Sequence, residues 1–413
     1  MKKIVFLTSA FYPQADANGV CVKNVAGELI GRGFEVSVLC EGDGKDETIG
    51  GINIIHIKNA FGKRLCTYLD SKNSAFLRLF CKILLMMRRV VLGVISPFIF
   101  PNVSPFRTRA VYKRLEKLYA AENFDCVIGT FRPYENVEAV NRFKNKHPDV
   151  KSEIVYLDLI DGKNPFGSRF AGLFEKLCTK SEERTFEIND LVLIPKSARE
   201  KYESDRYEYA REKIRYFDFP LFTAKEGVKR KNKSTGTVNI VYAGLVDGKN
   251  RNAGYFLRLV DKINQEYKMN ICVSFYGRFL DRRAREEFAN NSYVKFCGTV
   301  SPDEAEKVLR EANYLLNLSN RITYKMVPSK IFQLFSTCLP IINIVANKED
   351  ASLEYFEKYP AVMNICEYES NIETDAEKVR KFFNNNSMDN VEFQCVYRAF
   401  SENTPTAFAD III

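Results

Sequence analysis

The 413-residue chain contains only two histidines, His56 and His147, and none of its eleven cysteines forms a Cys-x-x-Cys pair. Two histidines nearly exclude a His-rich metal site or a relay of several imidazoles. They sit in the strand-like run Ile54-Ile55-His56-Ile57 and the polar Lys144-Asn145-Lys146-His147-Pro148, where neither is expected to do chemistry. The cysteines are odd in number, scattered and without zinc-ligand spacing, so they read as reduced core residues of a cytosolic protein. No G-x-G-x-x-G follows the first strand, which argues against a classical dinucleotide site. Gly42-Asp43-Gly44-Lys45-Asp46 lacks the leading glycine and the trailing Ser/Thr of a phosphate-binding loop. After Met1-Lys2-Lys3 the apolar run Ile4 to Leu7 is too short for an export signal, which needs about 7–15 such residues; it reads as a first buried strand, and export is not expected.

What is present is an ordinary globular composition, 46% hydrophobic and 27% charged, with 32 Phe and 21 Tyr to fill cores. The length calls for two domains at roughly 100–200 residues each. The formal net charge is +9, and it is local. Residues 61–120 carry twelve Lys/Arg against Asp70 and Glu116, a net +10, while the rest of the chain is nearly neutral. This basic segment overlaps the most apolar stretch, Phe76 to Phe100. Arg78, Lys82, Arg88 and Arg89 lie inside that stretch, and their insertion would cost roughly 10 kcal/mol in total, so a membrane span is not expected. A wide apolar face with a narrow basic stripe instead suits docking on an anionic bilayer surface. The alternatives are a core helix with snorkelling charges or, with no recognised motif behind it, a nucleic-acid surface.

Hydrophobic periodicity divides the chain into two α/β halves. Strand Ile4–Leu7, a helix with Val22, Val25, Ala26 and Leu29 on one face, and strand Glu35–Cys40 form a β-α-β unit; further strands are expected at 125–129, 153–157 and 191–194. Periodicity disappears over 225–236 and then resumes as six strand–helix repeats between 238 and 384. The expected organisation is a domain at 1–220, a linker at 221–236, a second domain at 237–390, and a tail at 391–413 that crosses back to the first domain. Both domains are doubly wound parallel sheets, and they are expected to face a cleft.

Three stretches carry candidate chemistry. The first strand runs into Phe11–Val20, where Asn18-Gly19 precedes a helix and a glycine can let backbone N–H groups approach a phosphate. Pro328-Ser329-Lys330 marks a helix start with a cation in its first turn, which is unexpected on dipole grounds unless an anion meets it; Gln333 lies one step along the same face. Asp158 and Asp161, at a strand end, suit acceptor hydroxyls or turn capping equally well.

Here the chain resembles the retaining GT-B glycosyltransferases of family 4, of the type that build surface and capsular polysaccharides. Asn18-Gly19 resembles the family's Gly-Gly loop, and Tyr242-Ala243-Gly244 with Lys249-Asn250 its strand-then-Lys phosphate element. Phe275-Tyr276-Gly277 and Val294–Val300 resemble its nucleotide-base region, Pro328–Gln333 its Pro-Ser-Lys-Ile-Phe-Glu, and Ser401–Thr404 its crossover. The resemblance implies a UDP- or GDP-sugar donor, a lipid-linked saccharide acceptor at the first domain, and transfer with retention. It implies no metal and no cofactor, so protein cations neutralise the leaving diphosphate. The implied donor residues are Asn18, Gly19, Gly244, Lys249, Arg251, Gly277, Arg278, Thr299, Val300, Pro328, Ser329, Lys330 and Gln333, with Lys330, Lys249 and Asp158 as catalytic candidates. The implied place is the cytoplasmic face of the inner membrane, peripherally bound. Three departures stand out. The family's glutamates, eight residues apart, fall on Lys325 and Gln333; its arginine after the strand glycine is Leu245; and no histidine lies near Thr130-Phe131-Arg132. These departures keep two other readings open: a membrane-bound scaffold that has lost catalysis, and a sugar-nucleotide epimerase, which the scarcity of histidine disfavours.

Overall fold

A computed structural model describes residues 2–13, 15–58, 75–158, 171–223, 236–325, 327–369, 371–384 and 391–412. Asp161 and residues 224–235 of the expected linker lie outside them. The chain forms two units, one of Met1–Leu221 with Glu402–Ile413 and one of Phe222–Ser401.

In the first unit the order is β1 (Lys3–Ala10), α1 (Ala17–Gly31), β2 (Glu35–Glu41), β3 (Glu47–Ile49), β4 (Ile52–Ile57), α2 (Ala75–Ile99), α3 (Pro105–Glu122), β5 (Cys126–Phe131), α4 (Tyr134–Lys146), β6 (Lys151–Tyr156), α5 (Ala171–Ile188), β7 (Leu191–Pro195), α6 (Arg199–Tyr202) and β8 (Ile214–Phe217). The sheet runs β3-β4-β2-β1-β5-β6-β7-β8, and only the β3–β4 pair is antiparallel. Every residue of β5 is buried, as expected of a parallel strand covered on both faces. Val111, Leu115, Val137, Val140 and Phe143 of α3 and α4 close one core against Val127 and Ile154.

The C-terminal helix α14 (Pro405–Ile412) also belongs to this unit. Arg32 at the end of α1 bonds Asp410 at 2.6 Å and the Thr406 carbonyl at 3.1 Å, and Phe408 packs edge-on against Phe217. Lys151 donates to the Ile412 carbonyl at 3.0 Å and lies 2.8 Å from Glu153. Glu153 is fully buried, and burial pushes its carboxyl up to about 7 although Lys151 pulls the other way. Between the ordinary carboxylate range and about 7, the unfolded chain has released this proton while the folded chain keeps it, so stability falls as pH rises through that window. Glu153→Gln is therefore expected to raise the melting temperature at pH 8 more than at pH 5, by a difference worth at most about 3 kcal/mol. Thermal melts at the two pH values measure it.

The second unit alternates β9 (Val238–Ala243), α7 (Gly254–Glu266), β10 (Ile271–Tyr276), α8 (Arg282–Glu287), β11 (Val294–Gly298), α9 (Pro302–Arg310), β12 (Tyr314–Leu318), α10 (Lys330–Phe335), β13 (Ile341–Val345), α11 (Leu353–Lys358), β14 (Val362–Cys366) and α12 (Ile372–Asn384). Its all-parallel sheet runs β11-β10-β9-β12-β13-β14. Asn317, Asn343 and Asn364, in register on three strands, bond side chain to side chain at 2.8 and 2.9 Å, which pins that register with few unsatisfied amides. Helix α13 (Phe393–Ala399) remains with this unit, where Phe400 stacks on Phe335 at 4.5 Å. Both halves are thus doubly wound parallel sheets, as the periodicity predicts.

Candidate functional site

In an open parallel sheet, ligands collect beyond the carboxyl ends of the strands where the strand order reverses. Each unit has one such point, between β9 and β12 in the second and between β1 and β5 in the first.

In the second unit a glycine closes each of three neighbouring strands: Gly244 directly follows β9, Gly277 directly follows β10, and Gly298 ends β11. The Gly244 N–H donates to the Tyr276 carbonyl at 2.8 Å and the Gly277 N–H to the Gly298 carbonyl at 2.6 Å. Gly277 has φ +116°, and a Cβ there would lie 2.1 Å from the Gly244 carbonyl oxygen, so only glycine fits. Beyond this row, Arg278 and Thr299 are exposed and Val300 is half-buried at the strand ends.

The turn after Gly244 is built by Asp247. Burial alone would raise its carboxyl, but N–H bonds from Arg251, Asn250 and Lys249, at 3.0, 2.7 and 2.9 Å, outweigh this and hold it below the ordinary range. The turn leaves Lys249 exposed at its tip and carries Arg251 inward, where its Nε donates to Asn320 at 3.1 Å. Asn250 accepts from the Ile322 N–H at 2.8 Å, tying this turn to the loop before α10.

From α10, the Lys330 ammonium reaches the Ala243 carbonyl at 3.4 Å. Burial and then the neighbouring Arg251 lower its affinity for a proton. Lys330 as a whole residue nevertheless remains exposed to solvent. Among the described residues, no carboxylate forms an ion pair with Lys330, Arg251 or Lys249. Gln333, three residues along α10 from Lys330, is half-buried. Pro328 and Ser329 lead into α10, but Ser329 is itself helical, with φ −54° and ψ −26°, and its side chain makes no cap. The expected N-cap is therefore absent, and with only six residues in α10 the dipole contributes little, which leaves the side-chain cations as the source of positive charge.

In the first unit, a pocket at the strand ends is lined by Ser9, Asp16, Ala17, Asn18, Glu41, Arg107, Arg132, Pro133 and Asp158. Helix α1 begins at Ala17, earlier than the apolar periodicity from Val22 shows, so Asn18 and Gly19 lie in its first turn. Asp16 caps it, accepting from the Gly19 N–H at 2.9 Å, and accepts the Ser9 hydroxyl at 2.6 Å. The Gly19 N–H is thus already engaged, contrary to its expected role as a phosphate donor. Glycine is needed there because a Cβ would sit 2.1 Å from the Ala10 carbonyl oxygen. Asn18 donates to the Arg132 carbonyl at 3.2 Å, and the Arg132 Nε lies 3.9 Å from Asp158. Arg107, Glu41, Arg132 and Asp16 carry no linear motif; position at strand and helix ends is the signal that brings them together.

Helices α2 and α3 present the expected apolar surface. Cys81 is buried, but Leu79, Phe80, Met86, Val90, Val94 and others are exposed, and Phe98 and Phe106 are 87% and 89% exposed. Lys82 and Arg88 are exposed among them; the side chains of Arg78 and Arg89 lie outside the described ones. No helix among the described residues is long and apolar enough to cross a membrane.

No protein-family model and no curated protein matches this chain by sequence. Solved structures match its fold over nearly the whole length. A glycosyltransferase from Rickettsia africae aligns with a TM-score of 0.56 at 11% identity, covering 100% of this chain and 96% of that one. WaaG, a glycosyltransferase involved in lipopolysaccharide biosynthesis, aligns at 0.52 and 12%, covering 99% of each. The UDP-GlcNAc 2-epimerase from Methanocaldococcus jannaschii aligns at 0.54 and 12%, covering 100% and 99%. At these identities the likeness establishes architecture, and the architecture is the two-sheet GT-B fold that such transferases and epimerases share.

Proposed function

We propose that this protein is a retaining, metal-independent glycosyltransferase that moves a sugar from a UDP- or GDP-sugar to a lipid-linked saccharide in surface-polysaccharide assembly. The observation that carries the reading is the convergence of Lys330 and Arg251 on the glycine-lined strand ends of the second unit, with no carboxylate paired to either among the described residues. Lys330 and Arg251 repel each other, with the Asp247 carboxylate acting on Arg251 but forming no salt bridge to either cation, and a diphosphate would relieve that repulsion where the glycines leave room for it to approach. Lys249, Lys330 and Arg251 would stabilise the leaving diphosphate, Gln333 would bond a ribose hydroxyl, and Gly277, Arg278, Thr299 and Val300 would border the base. Asp158 would orient the acceptor hydroxyl in the pocket of the first unit. Purified protein incubated with UDP- and GDP-sugars and membrane lipids is expected to release the nucleotide diphosphate and form a glycolipid; absence of turnover with every donor would contradict the transferase.

The same reading places the protein peripherally on the cytoplasmic face of the inner membrane, through α2 and α3. Binding to vesicles with about 25% anionic lipid is expected, and neutralising Arg78, Lys82, Arg88 and Arg89 together is expected to weaken it at least tenfold, at about 1 kcal/mol per charge. Sedimentation with vesicles measures this.

A second reading, a catalytically silent scaffold, is favoured by Lys325, which is exposed and lies 6.0 Å from the Tyr324 ring where the resembling family has a carboxylate. Donor binding without turnover would support it. An epimerase would interconvert sugar nucleotides with no acceptor present.

A further inference from the structure

The first turn of α3 carries two consecutive residues with opposite surroundings. Phe106 is 89% exposed on the apolar surface, whereas the side chain of Arg107 is 11% exposed and lines the pocket of the first unit. Arg107 is ion-paired with Glu41 at the end of β2, a pocket residue that is itself 12% exposed, and its Nε is buried with no hydrogen-bond partner. The buried Glu135, in the first turn of α4, also faces the Arg107 charge. Thr108, fully buried, bonds Asn102 at 2.9 Å and so ties the first turn of α3 to the segment before it. An arginine so enclosed is held by its partners, so movement of the α3 first turn is transmitted to Glu41 and the pocket wall.

We propose that Arg107 is a positioning residue that couples the bilayer-facing surface to the pocket, and that the pocket therefore takes a sugar close to its lipid attachment. This rests on the membrane-docking reading above. A helix with its side chains is only about 10–12 Å across, so Phe106 and Arg107, neighbours in the first turn of α3, set the bilayer-facing surface and the pocket wall about one helix width apart. That span matches a short glycolipid headgroup and leaves no room for a long glycan between the lipid and the reacting hydroxyl.

Amide hydrogen exchange with and without phosphatidylcholine/phosphatidylglycerol vesicles tests the coupling without requiring turnover. Vesicles are expected to slow exchange at least fivefold both in α2 and in the pocket segments around Glu41 and Asn18. In Arg107→Gln the α2 protection is expected to persist while the pocket protection disappears, and Arg107→Lys, which can keep the Glu41 pair, is expected to restore it. Protection of α2 alone in the wild type, or unchanged pocket protection in Arg107→Gln, overturns the coupling and leaves docking intact. Loss of α2 protection itself overturns the docking reading and the coupling with it. Monoglycosyl-dioleoylglycerols in the same vesicles are expected to bind at least tenfold more tightly than the free sugars; equal binding overturns the substrate assignment.

Discussion

Lys330→Ala should lower kcat with its nucleotide-sugar donor about 100- to 1,000-fold. Removing one positioned donor to developing charge costs roughly 3–4 kcal/mol in sites of this type. The lysine is suited to that task by position: its ammonium is held near the Ala243 carbonyl and faces Arg251, in surroundings that already make its charge costly. A leaving diphosphate gains more from such a cation than the intact donor does, so kcat should fall further than KM rises. Lys249→Ala, at the exposed tip of the Asp247 turn, should have a smaller effect because water screens that charge. Steady-state kinetics on both variants would show the split; equal effects would mean that the cations act only as a diffuse field.

Gly277→Ala should destabilise the second unit by more than about 3 kcal/mol and abolish nucleotide binding. A methyl at this position would meet the Gly244 carbonyl oxygen at 2.1 Å, on a backbone with φ +116° that other residues rarely adopt. Relief requires parting β9 from β10 at the very edge where the glycines gather. Gly298→Ala is the matched control. Its φ is +74° but no atom lies within 4 Å of the added Cβ, so only the backbone cost of about 1–2 kcal/mol is expected. Denaturant melts of the two variants, with titration of UDP and GDP, would separate a packing requirement from a conformational one.

The second unit was legible in the sequence nearly element by element, because each buried parallel strand is a short apolar run closed by glycine or a polar turn, as in Tyr242-Ala243-Gly244 and Phe275-Tyr276-Gly277. The first unit was less so. Its β3, Glu47–Ile49, is exposed throughout and has no apolar pattern to announce it. Helix α1 starts at Ala17 because Asp16 caps it, a local side-chain bond that hydrophobic periodicity does not register. Gly42 and Gly44 serve neither phosphate nor hairpin: a Cβ at either would strike the His56 ring, so their loop packs on that imidazole. For the candidate site, linear motifs reach Lys330, Lys249 and the strand glycines. Arg107 and Glu41 are 66 residues apart in sequence, and only the sheet order places them on one pocket wall. Motifs reach groups that act from one segment; groups that act through tertiary pairing emerge only with the topology.

The most direct test of the central claim is a transfer assay read by proton NMR at the anomeric carbon, using UDP- and GDP-sugars with glycolipid acceptors in anionic vesicles. The account predicts release of the nucleotide diphosphate with a new glycosidic bond of the same anomeric configuration as the donor, lost in Lys330→Ala. Donor bound but never consumed, or a sugar nucleotide epimerised without any acceptor, would contradict it.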